Sequence, residues 1–584
     1  MGKIFRYFKA REWLLVAGCA LFVLVEVFAE LKMPEYVGNI TTCIESGAPT
    51  KEVWLNGMYM LLCAIGAAAC LLAVGFFAAM LGAKLAKRLR DELYDKVMSF
   101  SLADINKFST ATLITRSTND VTQVQMMFAL GAQFLFRAPI MAAWAAVKVV
   151  QKSWQWSAMT AGAVAGMILF AAVIMFVALP KFKRIQSLTD NINRIMREQL
   201  IGVRVVRAYN AEGFAEEKFG AANDELTRNN LSVNRTLVTI NPLINAVMSG
   251  ATIGAVWIGA ILINASPLAA KQGMFADTME MMQYVTQVLS GFLMLVMCFV
   301  IAPRALIAAR RITEVLDVTP SVLDPETPAD IPTDVKGEVE FRNVTFRYPD
   351  MSGDVIRNIS FKAERGQTVA FIGSTGSGKS SLINLIPRFY DVTDGQVLVD
   401  GVDVRDYAQK DLRGKIGYVP QQGVLFSGTV AENINFGADS EKYDEKHIRA
   451  ALEIAQADFV DDMANGLDSA VAQGGTNVSG GQRQRLAIAR AVCHNPEIYI
   501  FDDSFSALDF KTDKALRKRL DEATADATKL IVAQRVGTIL DADKIIVLDG
   551  GEQVGAGTHK ELMESCAVYR EIALSQLTED ELAC

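Results

Sequence analysis

Gly373-Ser374-Thr375-Gly376-Ser377-Gly378-Lys379-Ser380-Ser381 follows the apolar run Thr368-Val369-Ala370-Phe371-Ile372 and leads into Leu382-Ile383-Asn384-Leu385-Ile386. The first run reads as a buried strand and the second as the start of a helix. A glycine-rich turn in that setting reads as a phosphate-binding loop. Its glycines let backbone N–H groups curl around a di- or triphosphate, Lys379 reaches the outer phosphates, and Ser380 is placed to ligate Mg²⁺. An ordinary glycine-rich strand-to-helix turn is the competing reading, and the full spacing from Gly373 to Lys379 and Ser380 argues against it.

Further along, Ile498-Tyr499-Ile500-Phe501-Asp502-Asp503 is an apolar strand ending in a carboxylate, where one is needed to hold Mg²⁺ or its water. Just ahead of it lies Val478-Ser479-Gly480-Gly481-Gln482-Arg483-Gln484-Arg485. With these three motifs in this order, the sequence resembles the ABC transporter ATPase family, whose signature is a Ser-Gly-Gly-Gln run between the phosphate loop and the second acidic strand. The resemblance covers the whole chain and implies ATP and Mg²⁺ as cofactors.

At 584 residues the chain is long enough for more than one domain, and 51% hydrophobic residues with a mean hydropathy of +0.23 are too apolar for a wholly soluble protein. A net charge of -7 excludes nucleic acid as the expected partner, because such a binder needs a basic face to displace phosphate counterions. The eight cysteines, at 19, 43, 63, 70, 298, 493, 566 and 584, lack metal-like spacing and read as small buried hydrophobes.

Lys3, Arg6, Lys9 and Arg11 precede an apolar run from Trp13 that carries no clear small-residue cleavage site, so it reads as a retained span with a cytoplasmic basic flank. The aromatics from Phe5 to Phe8 suit a short interfacial helix. Six spans are expected: Trp13 to Leu31, Gly57 to Ala83, Met126 to Val147 with Arg137 inside it, Ser153 to Pro180, one within Thr236 to Ala270, and one within Met281 to Pro303. Residues 84–125 carry seven Lys or Arg and residues 181–235 carry ten, whereas the opposite loops carry only Lys32, Lys51, Lys148, Lys152 and Lys271. Both long connections are therefore cytoplasmic, and their helical pattern projects the second to fifth helices beyond the bilayer.

That projection resembles the exporter branch of the family, whose extensions end in short coupling helices. The stretches Phe108 to Arg116 and Gly202 to Asn210 look like segments the family places there. Pro320, Pro325, Pro328 and Pro332 break any helix after Arg304, Arg310 and Arg311. The expected organisation is an α-helical membrane domain over residues 1–316 and a linker over 317–336. An α/β P-loop ATPase domain over 337–577 and a tail over 578–584 complete it. Membrane domain first and ATPase domain second is the exporter arrangement, implying a multi-pass protein of the cell membrane with its ATPase domain in the cytoplasm.

Within the ATPase domain, Val339 to Tyr348 alternates like a strand, and Tyr348 sits where the family places the aromatic that stacks on adenine. An ordinary edge-strand tyrosine is the rival reading. Gln421 matches the family glutamine that ligates Mg²⁺ with Ser380 and Asp502; Gln422 is the rival assignment. Asp509 matches the loop that communicates between paired sites.

Two positions depart from the family pattern. The water-orienting glutamate is replaced by Asp503, one methylene shorter, which retracts the carboxylate by about 1 Å, a displacement that can cost roughly 100-fold in rate. The histidine that contacts the γ-phosphate is replaced by Gln534, which can donate a hydrogen bond but cannot do an imidazole's proton chemistry. The chain's histidines, His447, His494 and His559, lie elsewhere. The signature from Ser479 to Gln482 is intact. This combination resembles one half of the heterodimeric bacterial multidrug exporters, implying a second half-transporter as partner and a slow site on this chain's own phosphate loop. A homodimer in which Asp503 suffices, and a largely non-catalytic regulatory subunit, are the alternatives.

The expected cargo is a small hydrophobic or cationic amphipathic compound, a drug or lipid. Glu26 and Glu30 lie one helical turn apart near the outer end of the first expected span, suited to attract a cation, to snorkel, or to bond neighbouring helices. Met279, Met281, Met282, Met294 and Met297 offer an adaptable wall or lipid-facing bulk.

Overall fold

The computed structural model describes residue 2 and residues 4–267, 270–331, 335–437 and 444–577. Lys3, residues 268–269, the linker positions Pro332 and Asp334, and the tail 578–584 with Cys584 lie outside the described residues. The chain divides into two compact units, Met1–Val97 with Ala111–Val318, and Met98–Thr110 with Thr319–Cys584.

Among the described residues of the first unit, six helices are long and apolar enough to cross a membrane: α1 (Ala10–Glu45), α2 (Thr50–Met98), α4 (Thr110–Lys152), α5 (Trp154–Ile201), α7 (Glu212–Ala265) and α8 (Lys271–Leu316). A short helix α3 (Leu102–Phe108) separates α2 from α4, and α6 (Val203–Ala208) separates α5 from α7. α2, α5 and α7 run to 49, 48 and 54 residues, more than twice the ~20 that span a hydrocarbon layer. The surplus carries the basic segments counted above. Before α1, Ile4–Tyr7 forms a single turn in which only Ile4 is buried, with Phe5 and Phe8 packed on Trp13 and Phe128.

α8 is the central helix and packs against α1, α4 and α7. Its Met281, Tyr284, Val285, Val288 and Leu289 are buried at three- and four-residue steps, meeting Val23, Val27 and Leu31 of α1 and Met141 and Ala145 of α4. Without water to drive helices together, close backbone approach supplies the attraction. Gly291 of α8 sits where an added Cβ would come within 3.2 Å of the Ala142 backbone. Of the methionines singled out in the sequence, Met281 is wholly buried and Met297 exposed, so they do not make one wall.

The first expected span is corrected at its outer end. α1 continues from Leu31 to Glu45, because Glu35 takes Lys32 and Lys148, each at 2.6 Å, and Pro34 stays within the helix. Glu26 and Glu30 therefore lie in the middle of α1. Arg137 of α4 reaches both, at 3.3 Å from Glu26 and 2.7 Å from Glu30. The pair bonds a neighbouring helix, one of the alternatives left open by the sequence.

In the second unit, strands β1 (Val339–Phe346), β2 (Ile356–Ala363), β3 (Thr368–Gly373), β4 (Asp394–Val399), β5 (Val402–Asp403) and β6 (Ile416–Val419) are followed by β7 (Ile498–Asp502), β8 (Thr528–Val532), β9 (Lys544–Asp549) and β10 (Glu552–Gly557). They form a four-stranded sheet in the order β2-β1-β4-β5 and a six-stranded sheet in the order β10-β9-β3-β8-β7-β6. Within the latter β9, β3, β8, β7 and β6 are all parallel. β3, β7 and β9 are buried along their interiors, which is why these segments read as apolar runs.

α3 belongs to this second unit. Ser101 caps it, and Asp104, 8% exposed, accepts from the Ser101 and Ser321 backbone N–H groups at 3.0 Å each and from both hydroxyls. The proline-rich linker is thus tied to α3 through one carboxylate. Burial pushes the Asp104 carboxyl up, but the four hydrogen bonds outweigh it and hold it below the ordinary carboxylate range. Its contribution is complete above the unfolded value of about 3.9 and fades as the pH falls through the lower folded value.

Two outcomes follow from this packing. Gly291→Val, overpacking α8 against α4, lowers the thermal midpoint of the chain in lipid, at a cost of about 1–3 kcal/mol, whereas Gly66→Val, where no atom lies within 4 Å, leaves it unchanged. Asp104→Asn raises proteolysis of the 98–110 segment at pH 7 to the level the parent shows only below pH 4; equal protection of both proteins at pH 7 would refute the carboxylate's role.

Candidate functional site

The parallel strands deliver four segments to one edge of the six-stranded sheet. The glycine-rich loop leaves the end of β3, Gln421 follows β6, Asp502 and Asp503 close β7, and Gln534 follows β8. Carboxyl ends of parallel strands are where such sheets bind ligands, because the connections there diverge and leave a crevice. Here the crevice is a cavity of about 920 Å³ lined by Tyr348, Thr375, Gly376, Gly378, Lys379, Ser380, Ser381, Gln421, Asp502, Asp503 and Gln534, among others.

The loop has the backbone its glycines were read to allow. Gly376 and Gly378 take φ of +86° and +93°, and Gly378 is the residue from which the helix Lys379–Ile383 starts. Lys379 curls back over the loop, its ammonium donating to the carbonyls of Gly373 at 2.9 Å and Ser374 at 2.8 Å and to the hydroxyl of Ser377 at 3.3 Å. Ser380 donates to Asp502 at 2.8 Å. Tyr348 packs edge-on against Phe346 and Tyr390 and shares a 2.8 Å hydrogen bond with Ser381. It stands at the cavity wall.

Burial sets the electrostatics. It pushes the Asp502 carboxyl above the ordinary range, against the Ser380 hydrogen bond, and neighbouring Asp503 adds to the rise. It also pushes the Lys379 ammonium below its usual value, although both carboxylates pull the other way. A desolvated ammonium and two desolvated carboxylates around one cavity call for a ligand that brings anionic phosphate to the first and a cation to the second.

Asp503 is held from both sides. Gln534 and Gln421 each donate an amide N–H to the same carboxylate oxygen, at 2.9 and 3.2 Å. The residue sits at φ +47°, a left-handed conformation that aspartate adopts more readily than most side chains. Its backbone N–H donates to Val532, which fixes the turn. Gln534 is anchored in turn by Gln576, whose amide donates to the Gln534 carbonyl at 2.9 Å.

Ser479, Gly480, Gly481, Gln482 and Asp509 do not line this cavity. Ser479 and Gln482 form a reciprocal cap on helix Gly480–Cys493, with Ser479 exposed. Asp509 caps the helix Phe510–Ala523 through Thr512. Sequence reasoning missed the segment Asp350–Val355, which closes the cavity beside Tyr348. Its signal was present as the turn-forming cluster Pro349-Asp350-Met351-Ser352-Gly353-Asp354 between two strands.

Comparison with known proteins agrees with this geometry. Residues 356–506 match the family model described as ABC transporter, and residues 16–288 match that of the ABC transporter transmembrane region. An uncharacterized ABC transporter ATP-binding protein of Mycobacterium tuberculosis is 39% identical over 96% of both chains. An ATP-dependent lipid A-core flippase of Syntrophus aciditrophicus is 31% identical over 86% of this chain and 82% of its own. A solved structure of a bacterial Atm1-family ABC exporter with ATP bound superposes with a TM-score of 0.78 and 25% identity, over 97% of this chain and 99% of that one. The chain belongs to the ABC transporter family, as a multi-pass membrane exporter whose ATP-binding domain couples ATP hydrolysis to transport.

Proposed function

We propose that this chain is one half of a heterodimeric exporter that moves a hydrophobic or amphipathic compound, a drug or lipid, out of the cytoplasm or inner leaflet by alternating access. Its own ATP site is the degenerate one of the pair. Its signature, Ser479 to Gln482, completes the competent site on the phosphate loop of a second half-transporter. Asp509 lies in the loop through which the two sites communicate.

The observation that carries this reading is the clamp on Asp503. A general base must present an oxygen to the attacking water. Asp503 has a shortened arm, and one of its oxygens is already taken by the amides of Gln421 and Gln534. Gln534 offers no proton exchange. The exposed, capped signature supports the second part, since a helix N-terminus with free backbone N–H groups suits a γ-phosphate presented by another chain.

Mg²⁺ fits the oxygen set found here. Ser380, Asp502 and Gln421 line the same cavity, and the raised Asp502 carboxyl gains from a divalent cation. Held by these residues, Mg²⁺ would supply positive charge against the charge that develops on the phosphates. In this reading Lys379 turns from the loop carbonyls to the outer phosphates, Gly373 to Ser377 surround them with backbone N–H groups, and Tyr348 offers its ring face to the adenine. The closed pair then turns the membrane cavity outward through differential affinity for ATP. The flippase relatives support a lipid-like cargo.

The test is steady-state ATP turnover by the full chain alone in lipid, beside the variant Asp503→Glu with Gln534→His. The parent turns over near background and the variant rises by about 100-fold, the scale of a 1 Å correction at a catalytic group. Brisk turnover by the parent, unchanged in the variant, would leave a homodimeric exporter with a working Asp503.

A further inference from the structure

We propose that Glu26, Glu30, Arg137 and Gln287 form a recognition site for the ammonium headgroup of the cargo, with the adjoining apolar cavity receiving its hydrocarbon tail. The inference rests on the exporter reading above and adds to it a binding site and a substrate class.

The cluster lies where α1, α4 and α8 meet. Glu26 is 1% exposed, and its side chain faces Arg137 through one oxygen only. Glu30 also spends one oxygen on Arg137. The amide of Gln287 donates to the Glu30 backbone carbonyl at 3.4 Å, and one turn earlier Tyr284 donates to that of Leu31 at 3.1 Å. Among the described residues, four buried polar atoms of the cluster have no partner: the second carboxylate oxygens of Glu26 and Glu30, the Gln287 carbonyl oxygen and Arg137 Nε. Three are acceptors and one is a donor. Two carboxyl groups against one guanidinium leave one acid without a counter-charge, in a place where an unpaired charge is costly. An arrangement short of one cation and of N–H donors is complementary to a primary ammonium, which brings both.

The same face of α1 continues into the cavity. Glu26, Glu30, Met33, Val37 and Ile40 succeed one another at three- and four-residue steps, so carboxylates and apolar groups share one stripe. On α8, Gln283 lies one turn from Gln287. Met33, Val37, Ile40 and Gln283 line an open cavity of about 1120 Å³, walled on its other side by the largely exposed Trp54, Met58 and Leu61 of α2. Its one charged lining residue among those described is Lys51, which repels a second cation and so sets the headgroup toward the carboxylates. A volume of that order accommodates a drug-sized or single-chain amphiphile.

Were the cluster only a brace between helices, it would not distinguish a charged ligand from a neutral one. The test is equilibrium binding of a fluorescent long-chain primary amine and of its N-acetylated neutral amide to the full chain in phosphatidylcholine nanodiscs, with empty discs as background. The parent binds the amine more tightly than the amide by about tenfold or more, the scale of one charge-assisted hydrogen bond. Glu26→Gln with Glu30→Gln abolishes that preference while amide binding stays at the parent level, which also shows the cavity to be folded. Ala64→Trp, filling the cavity, weakens both ligands. Equal affinities in the parent, or an amine preference that survives the double substitution, overturn the proposal. If the double variant does not fold, the partly exposed Glu30→Gln alone carries the same comparison. Binding is read without ATP, so a failure of coupled transport leaves this result standing, and a failure here leaves ATP turnover intact.

Discussion

Charge that must be taken out of water governs the second unit. A phosphate loop works only if its lysine and the metal-binding carboxylate lie within a few ångströms in a dry crevice, and burying either alone is costly. A parallel sheet solves the placement. β3 and β7 are separated by a single strand, β8, so the loop after β3 and the carboxylates closing β7 open onto the same edge. The same geometry brings Gln421 and Gln534 to Asp503 from β6 and β8. The apolar runs of the sheet, the left-handed turn at Asp503 and the glycines at 376 and 378 all serve that one convergence.

The parts of this arrangement that depend on local pattern were legible in the sequence. Strand, glycine loop and lysine lie within a dozen consecutive residues, so their juxtaposition needs no knowledge of the fold. The six long helices were legible for the same reason, since length and apolarity are local properties. The convergence of Gln421 and Gln534 on a single oxygen of Asp503 was not. It depends on strand order, a long-range property that alternation and spacing do not encode.

The boundaries misread along the chain have a physical cause as well. α1 looked finished at Leu31 because Lys32, Pro34 and Glu35 form a polar, helix-breaking run. The ion pairs of Glu35 with Lys32 and Lys148 convert that run into a contact with α4, and the helix continues. A single sequence cannot show that a charge will be met by one more than a hundred residues away. The position of α3 was hidden likewise. Its Asp104 reads as an ordinary helix-start carboxylate, and only the fold reveals that Ser321 supplies two of its four donors.

Arg137 illustrates how the two kinds of reading combine. An arginine inside an apolar span marks a functional position on energetic grounds alone, but its meaning depends on what answers it. Had a single glutamate done so, the pair would be neutral and its most economical account would be helix association. Two glutamates answer it, and each keeps an oxygen without a partner. A bundle stabilised only by ion pairing has no use for the second carboxylate, because burying it raises the desolvation cost without adding an equal attraction. The second carboxyl group is therefore the informative feature. It sits at a junction of three helices beside an apolar cavity, where an arriving cation would supply the counter-charge it lacks.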